Sequence, residues 1–241
     1  LTTLRAYGVT EPITVIPTGV DLAKFSEADQ VDYRKKYAIA ADTPLLLTLS
    51  RLAYEKNIHS LIEAMPDILA HRPDAQLLIV GDGPAKHTLE RQVREMQLND
   101  NISFAGEISN DEVYHYYQMA DVFVSASDSE SQGLTYDEAL ASDLPIVVMR
   151  SEYTDQLIDD PAIGISFQKR ADLVNGVLFY LNQPKNSESR VRRQQKLHEI
   201  SAEVFVERVV QFYQDCQKDM AVHDELNQAE KSHRLFHRPR S

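Results

Sequence analysis

Seven short apolar runs, set apart by amphipathic stretches, constrain this chain more than any other feature. They lie at Ile13–Pro17, Leu45–Leu49, Leu77–Val80, Ile102–Ala105, Val122–Ser125, Ile146–Met149 and Ile163–Phe167. Each is too short for a core helix and rich enough in β-branched residues for a strand. Helical patterns separate most of them, at Ile58–Leu69, Ala85–Leu98, Asp111–Met119, Leu134–Ser142 and Ala171–Leu181. Strands that are apolar on both faces and alternate with helices predict a parallel sheet covered on both sides. The expected fold is α/β, a doubly wound, Rossmann-like sheet over residues 10–185.

Outside that domain the pattern changes. Residues 1–9 read as the end of a preceding segment, a helix closed by Gly8, and lead to the expectation that the chain is a piece of something longer. Beyond Gln183 the composition turns polar, and 186–220 is expected to hold carboxyl-terminal helices. Phe205, Val209, Phe212 and Cys216 form a stripe at helical spacing, which predicts a helix over Ala202–Met220 and a core position for Cys216. Residues 221–241 read as a polar tail, with a basic anchor as the other reading.

Charge and cysteine content narrow the function. With 25 basic and 37 acidic side chains among 241 residues, the net charge is −12, which argues against nucleic acid or an anionic membrane as bulk partner. One cysteine excludes an internal disulfide and a cysteine zinc site and suits a reducing cytoplasm. No apolar run approaches the roughly 20 residues that span a bilayer.

The eight glycines are few, and Gly19, Gly81, Gly83, Gly106 and Gly133 each follow an expected strand. In open α/β sheets that edge is where ligands sit, so the placement predicts a ligand crevice there. The sharpest chemistry follows the fifth run. Ser125 to Ser142 reads S-A-S-D-S-E-S-Q-G-L-T-Y-D-E-A-L-A-S: strand, polar loop, then helix from Leu134. Free amides in a first helical turn make an anion site, most naturally for phosphate. Glu130 on the loop and Glu138 in the helix bracket that site with carboxylates able to accept from hydroxyls. A ligand with phosphates between two hydroxyl-bearing ends is a nucleotide-sugar. After the second run, Arg51 and Lys56 stand on a loop that neighbouring strand ends can bring to the same crevice, where they would neutralise a diphosphate leaving group.

Other motifs fall away. Gly81-Asp-Gly-Pro-Ala-Lys86 carries a lysine where a dinucleotide fingerprint needs its third glycine, and Asp82 reads as a turn residue. His59, His71 and His115 lack metal-ligand spacing. Neither a nucleophile elbow nor a P-loop is present.

Five motifs in order, V-I-P-T-G-V-D, L-S-R-L-A-Y-E-K-N, L-L-I-V-G-D-G-P, I-S-F-A-G-E-I and the E-S-Q-G-L-T-Y-D-E-A-L-A-S segment, resemble the donor-binding half of retaining glycosyltransferases of family four, with the GT-B fold. The resemblance covers residues 10–185. It implies that Arg51 and Lys56 hold the diphosphate, that Glu130 meets the donor sugar near the reacting carbon, and that Glu138 holds the ribose. It further implies that Gln132, Gly133, Leu134 and Thr135 form the turn around sugar and phosphates, and that Ile108 brackets the base. No metal or other cofactor is implied. The wording of the last motif, with Tyr153-x-x-x-Leu157-Ile-Asp159-Asp, is similar to bacterial 1,2-diacylglycerol 3-glucosyltransferases, implying UDP-glucose as donor, diacylglycerol as acceptor and a peripheral place at the inner face of the membrane. Thr18 departs from the P-N-G-V-D wording, and Ser142-Asp-Leu-Pro145 replaces a small-Gly-x-Pro turn.

Two other readings compete: a catalytically silent partner subunit that binds another transferase or glycans, and a sugar-nucleotide epimerase whose own motifs are absent. The resemblance also implies an amino-terminal acceptor domain outside this chain, with any membrane contact made through it. The chain alone is therefore expected to bind donor without transferring it, and its last helix to expose part of the Phe205/Phe212 stripe.

Overall fold

Buried parallel strands need apolar residues at every position, and the chain supplies them. The structure is a computed structural model that describes residues 2–26, 33–130, 132–183 and 187–236. Among these the elements run α1 (Thr2–Ala6), α2 (Leu22–Ser26), α3 (Tyr33–Lys36), β1 (Leu45–Leu49), a 3-10 turn (Tyr54–Lys56), α4 (Ile58–Leu69), β2 (Gln76–Val80), α5 (Lys86–Glu95), β3 (Ile102–Gly106), α6 (Val113–Met119), β4 (Val122–Ser125), α7 (Leu134–Ala141), β5 (Ile146–Met149), α8 (Glu152–Leu157), β6 (Gly164–Phe167), α9 (Arg170–Leu181), α10 (Ser187–Glu199) and α11 (Ala202–Phe236). The chain divides into two compact units, Val20–Ser201 and a second formed by Leu1–Gly19 with Ala202–Ser241.

The first unit is the doubly wound domain. Its six parallel strands take the order β3-β2-β1-β4-β5-β6. Alternation along each strand feeds two cores. Leu46, Leu77 and Val122 meet Ile62, Met65, Val93 and Val177 from α4, α5 and α9. On the other face Leu47, Leu78, Phe123 and Val148 meet Tyr116, Tyr117, Tyr136 and Leu140 from α6 and α7. The strand order reverses between β1 and β4, which makes their carboxyl ends the topological switch point.

That central seam is short. β1 pairs with β2 through five residues but with β4 only through Leu46↔Val122 and Leu47↔Phe123. Its base is tied by Asp121, whose Oδ2 accepts from the Leu45 amide at 3.0 Å and from Arg34 at 2.9 Å. Arg34 also donates to the carbonyls of Met119 and Thr43, both at 2.8 Å.

Two glycines clamp the loops beside the seam. A β-carbon on Gly81 (φ +126°) would stand 1.9 Å from the Ser50 carbonyl oxygen, and one on Gly83 (φ +156°) 2.5 Å from that of Leu52. The close approach permits Ser50 N–H to bond Val80 O, Leu52 N–H to bond Asp82 O and Ala85 N–H to bond Leu52 O, at 3.1, 2.8 and 2.9 Å. Their role is backbone packing between the β1 and β2 loops, which revises the crevice reading for this pair. Gly19 follows no strand, so it too leaves that group.

Several boundaries differ from the sequence expectation. Ile13–Pro17 forms no strand: Pro12 just before it and Pro17 at its end lack N–H donors, and Val15 is exposed. The sheet unit extends to Ser201 instead of ending near 185. Polar α10 packs on α7 and is held by Arg193 to Asp143 (2.7 Å) and to Ala162 O (2.8 Å), and by Lys196 to Asp159 (3.1 Å). Ile200 O accepts from Val20 N–H at 2.9 Å, closing the unit on itself.

In the second unit α1 ends at Gly8 (φ +85°), whose N–H bonds Arg5 O at 3.0 Å. α11 continues to Phe236 where the expectation ended it at Met220; residues 237–241 lie outside the described residues. On α11, Phe212 is exposed, while Phe205 and Cys216 are half-buried, so Cys216 is not the core residue expected.

Candidate functional site

Two loops meet at the carboxyl ends of β1 and β4. From the β1 side comes the 3-10 turn that ends in Lys56. Its carboxyl cap, Asn57, is left-handed (φ +53°) and starts α4, with Ser60 Oγ donating to Asn57 Oδ1 at 2.8 Å. From the β4 side comes the loop that bears Glu130, leading into α7. Lys56 Nζ donates to Glu130 Oε1 at 2.5 Å, with both side chains about one-fifth exposed. The structure thus brings together two residues 74 positions apart. Arg51 lies on the same β1 loop but turns to its neighbour Glu55, and its side chain is two-thirds exposed.

Gly133 caps α7 in the left-handed region (φ +63°, ψ +49°), where a side chain would be strained. A β-carbon there would lie 2.7 Å from Tyr136 Cδ2 and 3.0 Å from Tyr153 Cε1, so the turn rests on two tyrosine rings. Leu134 and Thr135, the first residues of α7, have amides that no preceding helical turn can satisfy. Leu134 is exposed, and Gln132 and Thr135 are half-buried. These amides and Lys56 are what the site offers an anion.

Glu138 is the fifth residue of α7 and its Oε2 accepts from Tyr117 Oη at 2.9 Å. Burial raises its pKa, a shift that the Tyr117 bond and Lys24 oppose. Lys24, on α2, donates to Asn110 O at 2.7 Å in the loop after β3. Ile108, in that loop, is partly buried against the α6–α7 core. Two groups of contacts thus flank the start of α7: Glu138 bonded to Tyr117 of α6, and Glu130 paired with Lys56.

Sequence reasoning gave no role to Lys24, Tyr117, Asp137 or Tyr153. Lys24 stands three residues after the V-I-P-T-G-V-D motif and could have been flagged by it. The hydroxyl partners of the two tyrosines emerge only in the folded chain. Asp82 behaves as a turn residue: it accepts from Gly83 N–H at 2.7 Å and Lys86 at 2.6 Å, and these bonds, Lys86 first, lower its pKa. Among the described residues no group of three His, Cys, Asp or Glu is placed to hold a metal ion. No helix among them is long and apolar enough to cross a membrane. A cavity of about 840 Å³ opens at the opposite, amino-terminal edge of the sheet, beside Pro44, Asp121 and Pro145, away from this crevice.

Comparison with known proteins agrees with the architecture. Residues 29–198 match the family described as glycosyl transferases group 1. The chain is 38% identical over 237 residues to an alpha-monoglucosyldiacylglycerol synthase of Streptococcus pneumoniae, covering 93% of this chain and 53% of that protein. It is 37% identical over 177 residues to the synthase of the same name from Acholeplasma laidlawii, covering 71% and 44%. The chain therefore spans about half the length of the curated relatives it matches. In fold it resembles sucrose-phosphate synthase from Thermosynechococcus elongatus, with a TM-score of 0.76 at 25% identity over 90% of this chain and 56% of that one. HepE of Anabaena, solved with UDP, gives 0.75 at 18% identity over 88% and 60%. These structural neighbours are GT-B glycosyltransferases. With the family match covering most of its length and a doubly wound sheet to carry it, the chain belongs to the glycosyl transferases group 1 family.

Proposed function

We propose that this chain is the donor-binding half of a retaining hexosyltransferase that takes glucose from UDP-glucose and passes it to diacylglycerol. The observation that carries the reading is the Lys56–Glu130 pair set beside the Gly133 turn. It places a cation, helix amides and a carboxylate around one point at the switch of the sheet. The relatives named as monoglucosyldiacylglycerol synthases support glucose and a lipid acceptor.

In the reaction the acceptor oxygen bonds to the anomeric carbon as the bond to the diphosphate oxygen breaks on the same face of the sugar; UDP leaves with the bonding electron pair, and the acceptor's hydroxyl proton passes to the departing diphosphate oxygen. Lys56 and the Leu134 and Thr135 amides meet the charge that develops on the diphosphate. Arg51 adds to the diphosphate site once it turns from Glu55. Glu138, oriented by Tyr117, accepts from the ribose, Ile108 lies against the base, and Glu130 faces the sugar. No metal or other cofactor is part of the proposal. An acceptor hydroxyl must be held about 3–3.5 Å from the reacting carbon with water excluded. We assign that task to an amino-terminal domain, which also makes any membrane contact.

Calorimetry with UDP-glucose tests the donor site. A charge-assisted contact to a diphosphate contributes about 1.5–3 kcal/mol. Lys56→Ala should therefore weaken binding at least about tenfold. Glu138→Ala should weaken UDP and UDP-glucose alike. A relative 34% identical is named GDP-mannose-dependent, so GDP-mannose is the control. Equal affinity for the two donors, or unchanged affinity in Lys56→Ala, would defeat the assignment.

A further inference from the structure

One buried acid beside the donor turn has no part in the chemistry above. Asp137 is only 2% exposed, in the first turn of α7, and its Oδ1 accepts from Tyr153 Oη at 2.6 Å. The Tyr153 ring lies under Gly133 and near the Tyr136 ring, with centroids 6.4 Å apart and planes 28° from parallel. Tyr136 is tethered at its own end, donating to Ser125 Oγ at 3.1 Å where β4 finishes. The left-handed turn thus rests on two tyrosines whose hydroxyls are both anchored, one to the sheet and one to Asp137.

We infer that Tyr153 and Asp137 form a positioning pair for the nucleotide-sugar: Asp137 fixes Tyr153 through its hydroxyl, and Tyr153 fixes the Gly133 turn whose amides receive the phosphates. The inference rests on the donor reading above and deepens it by naming what shapes that turn. Neither residue touches the donor in this account; both act through Gly133.

The pair has a signature that a merely structural role lacks. Burial raises the Asp137 pKa to about 7, Glu138 adding to the rise and the Tyr153 hydroxyl opposing it. The charges on the elements packed around α7 are otherwise engaged. Lys24 of α2 bonds Asn110 O, and Tyr117 of α6 bonds Glu138. On α10, Arg190 and Arg193 pair with Asp143, while Lys196 pairs with Asp159 and Glu199. Glu130 on the preceding loop pairs with Lys56. No cation among these faces Asp137 as a partner, so an anion bound at the turn favours its neutral form. By linkage, donor affinity is greatest with Asp137 protonated, falls as pH rises through about 7, and levels off above the donor-bound midpoint.

The test is calorimetric titration of the chain with UDP-glucose from pH 6 to 8.5, a window in which both phosphates of this diester stay ionised. Wild-type affinity should fall by about three- to tenfold, the change expected when the donor moves the midpoint by up to about one pH unit. Asp137→Asn should flatten the profile. Tyr153→Phe, which removes the bond that holds the acid's pKa down, should move the fall to higher pH and weaken binding. A second readout, the Asp137 carboxyl carbon shift, should titrate near pH 7 in the free chain and higher with donor present. Binding with a pH profile unchanged in Tyr153→Phe, or an Asp137 titration that ignores the donor, would overturn the pair while leaving the donor site standing. A wild-type chain that binds no UDP-glucose would overturn both. If Asp137→Asn fails to fold, Tyr153→Phe and the carbon titration still decide.

Discussion

Glu130→Ala, placed in a chain that also carries the proposed amino-terminal domain, should cut the proposed glucolipid formation at least about a hundredfold while leaving UDP affinity undiminished. Transition-state contacts of this kind are commonly worth about 10²- to 10³-fold. The structure supplies the reason for the split. Glu130 now neutralises Lys56 at 2.5 Å, so its removal releases the lysine to the diphosphate and does not weaken nucleotide binding. In the proposed arrangement the same removal strips the sugar side of its carboxylate. Transfer is measured as lipid-linked glucose formed from UDP-glucose and diacylglycerol, and UDP affinity by calorimetry. Parallel loss of UDP binding and transfer would mean that Glu130 serves the nucleotide and that the two glutamates have been assigned the wrong ends.

Gly81→Ala should destabilise the sheet domain by more than about 3 kcal/mol, or prevent it from folding at 37 °C. The added methyl would meet Ser50 O at 1.9 Å, and the backbone there is left-handed at φ +126°. Unfavourable φ alone costs about 1–3 kcal/mol. The clash is with backbone held by its own hydrogen bond, since Ser50 N–H bonds Val80 O, so relief requires breaking the β1–β2 loop packing. Gly106→Ala is the control. Gly106 is also at positive φ (+76°), but a β-carbon there meets nothing within 4 Å. Denaturant midpoints for the two variants separate steric clash from strain. Similar losses would show that the close approach at Ser50 contributes little.

What the sequence revealed depended on how each element is stabilised. β1, β4 and β5 were legible to the residue, because strands buried on both faces must be apolar throughout. So was α4, whose apolar face is regular. α10 was not resolved as part of the sheet domain. It is held by Arg193 and Lys196, buried as ion pairs, and no hydrophobic period marks that. The 13–17 run carried a strand's apolar content, but its flanking prolines cannot join a ladder. At the crevice, Lys56, Glu130 and Gly133 could be placed on their loops, and Glu138 in its helix, from pattern alone. Arg51's turn toward Glu55 could not, since a neighbouring acid offers a competing partner that spacing does not weigh. Tyr153 and Asp137 stood in motifs read from the sequence, but their contact stayed hidden because a pair 16 positions apart leaves no local signature.

The short seam between β1 and β4 has a mechanical meaning. These strands share two paired residues near their base, where Asp121 staples Leu45 and Arg34 together. Beyond Leu47 the two strands are unpaired, like the tines of a fork joined only at the handle. What ties the tips together across the rim is the ion pair of Lys56 with Glu130.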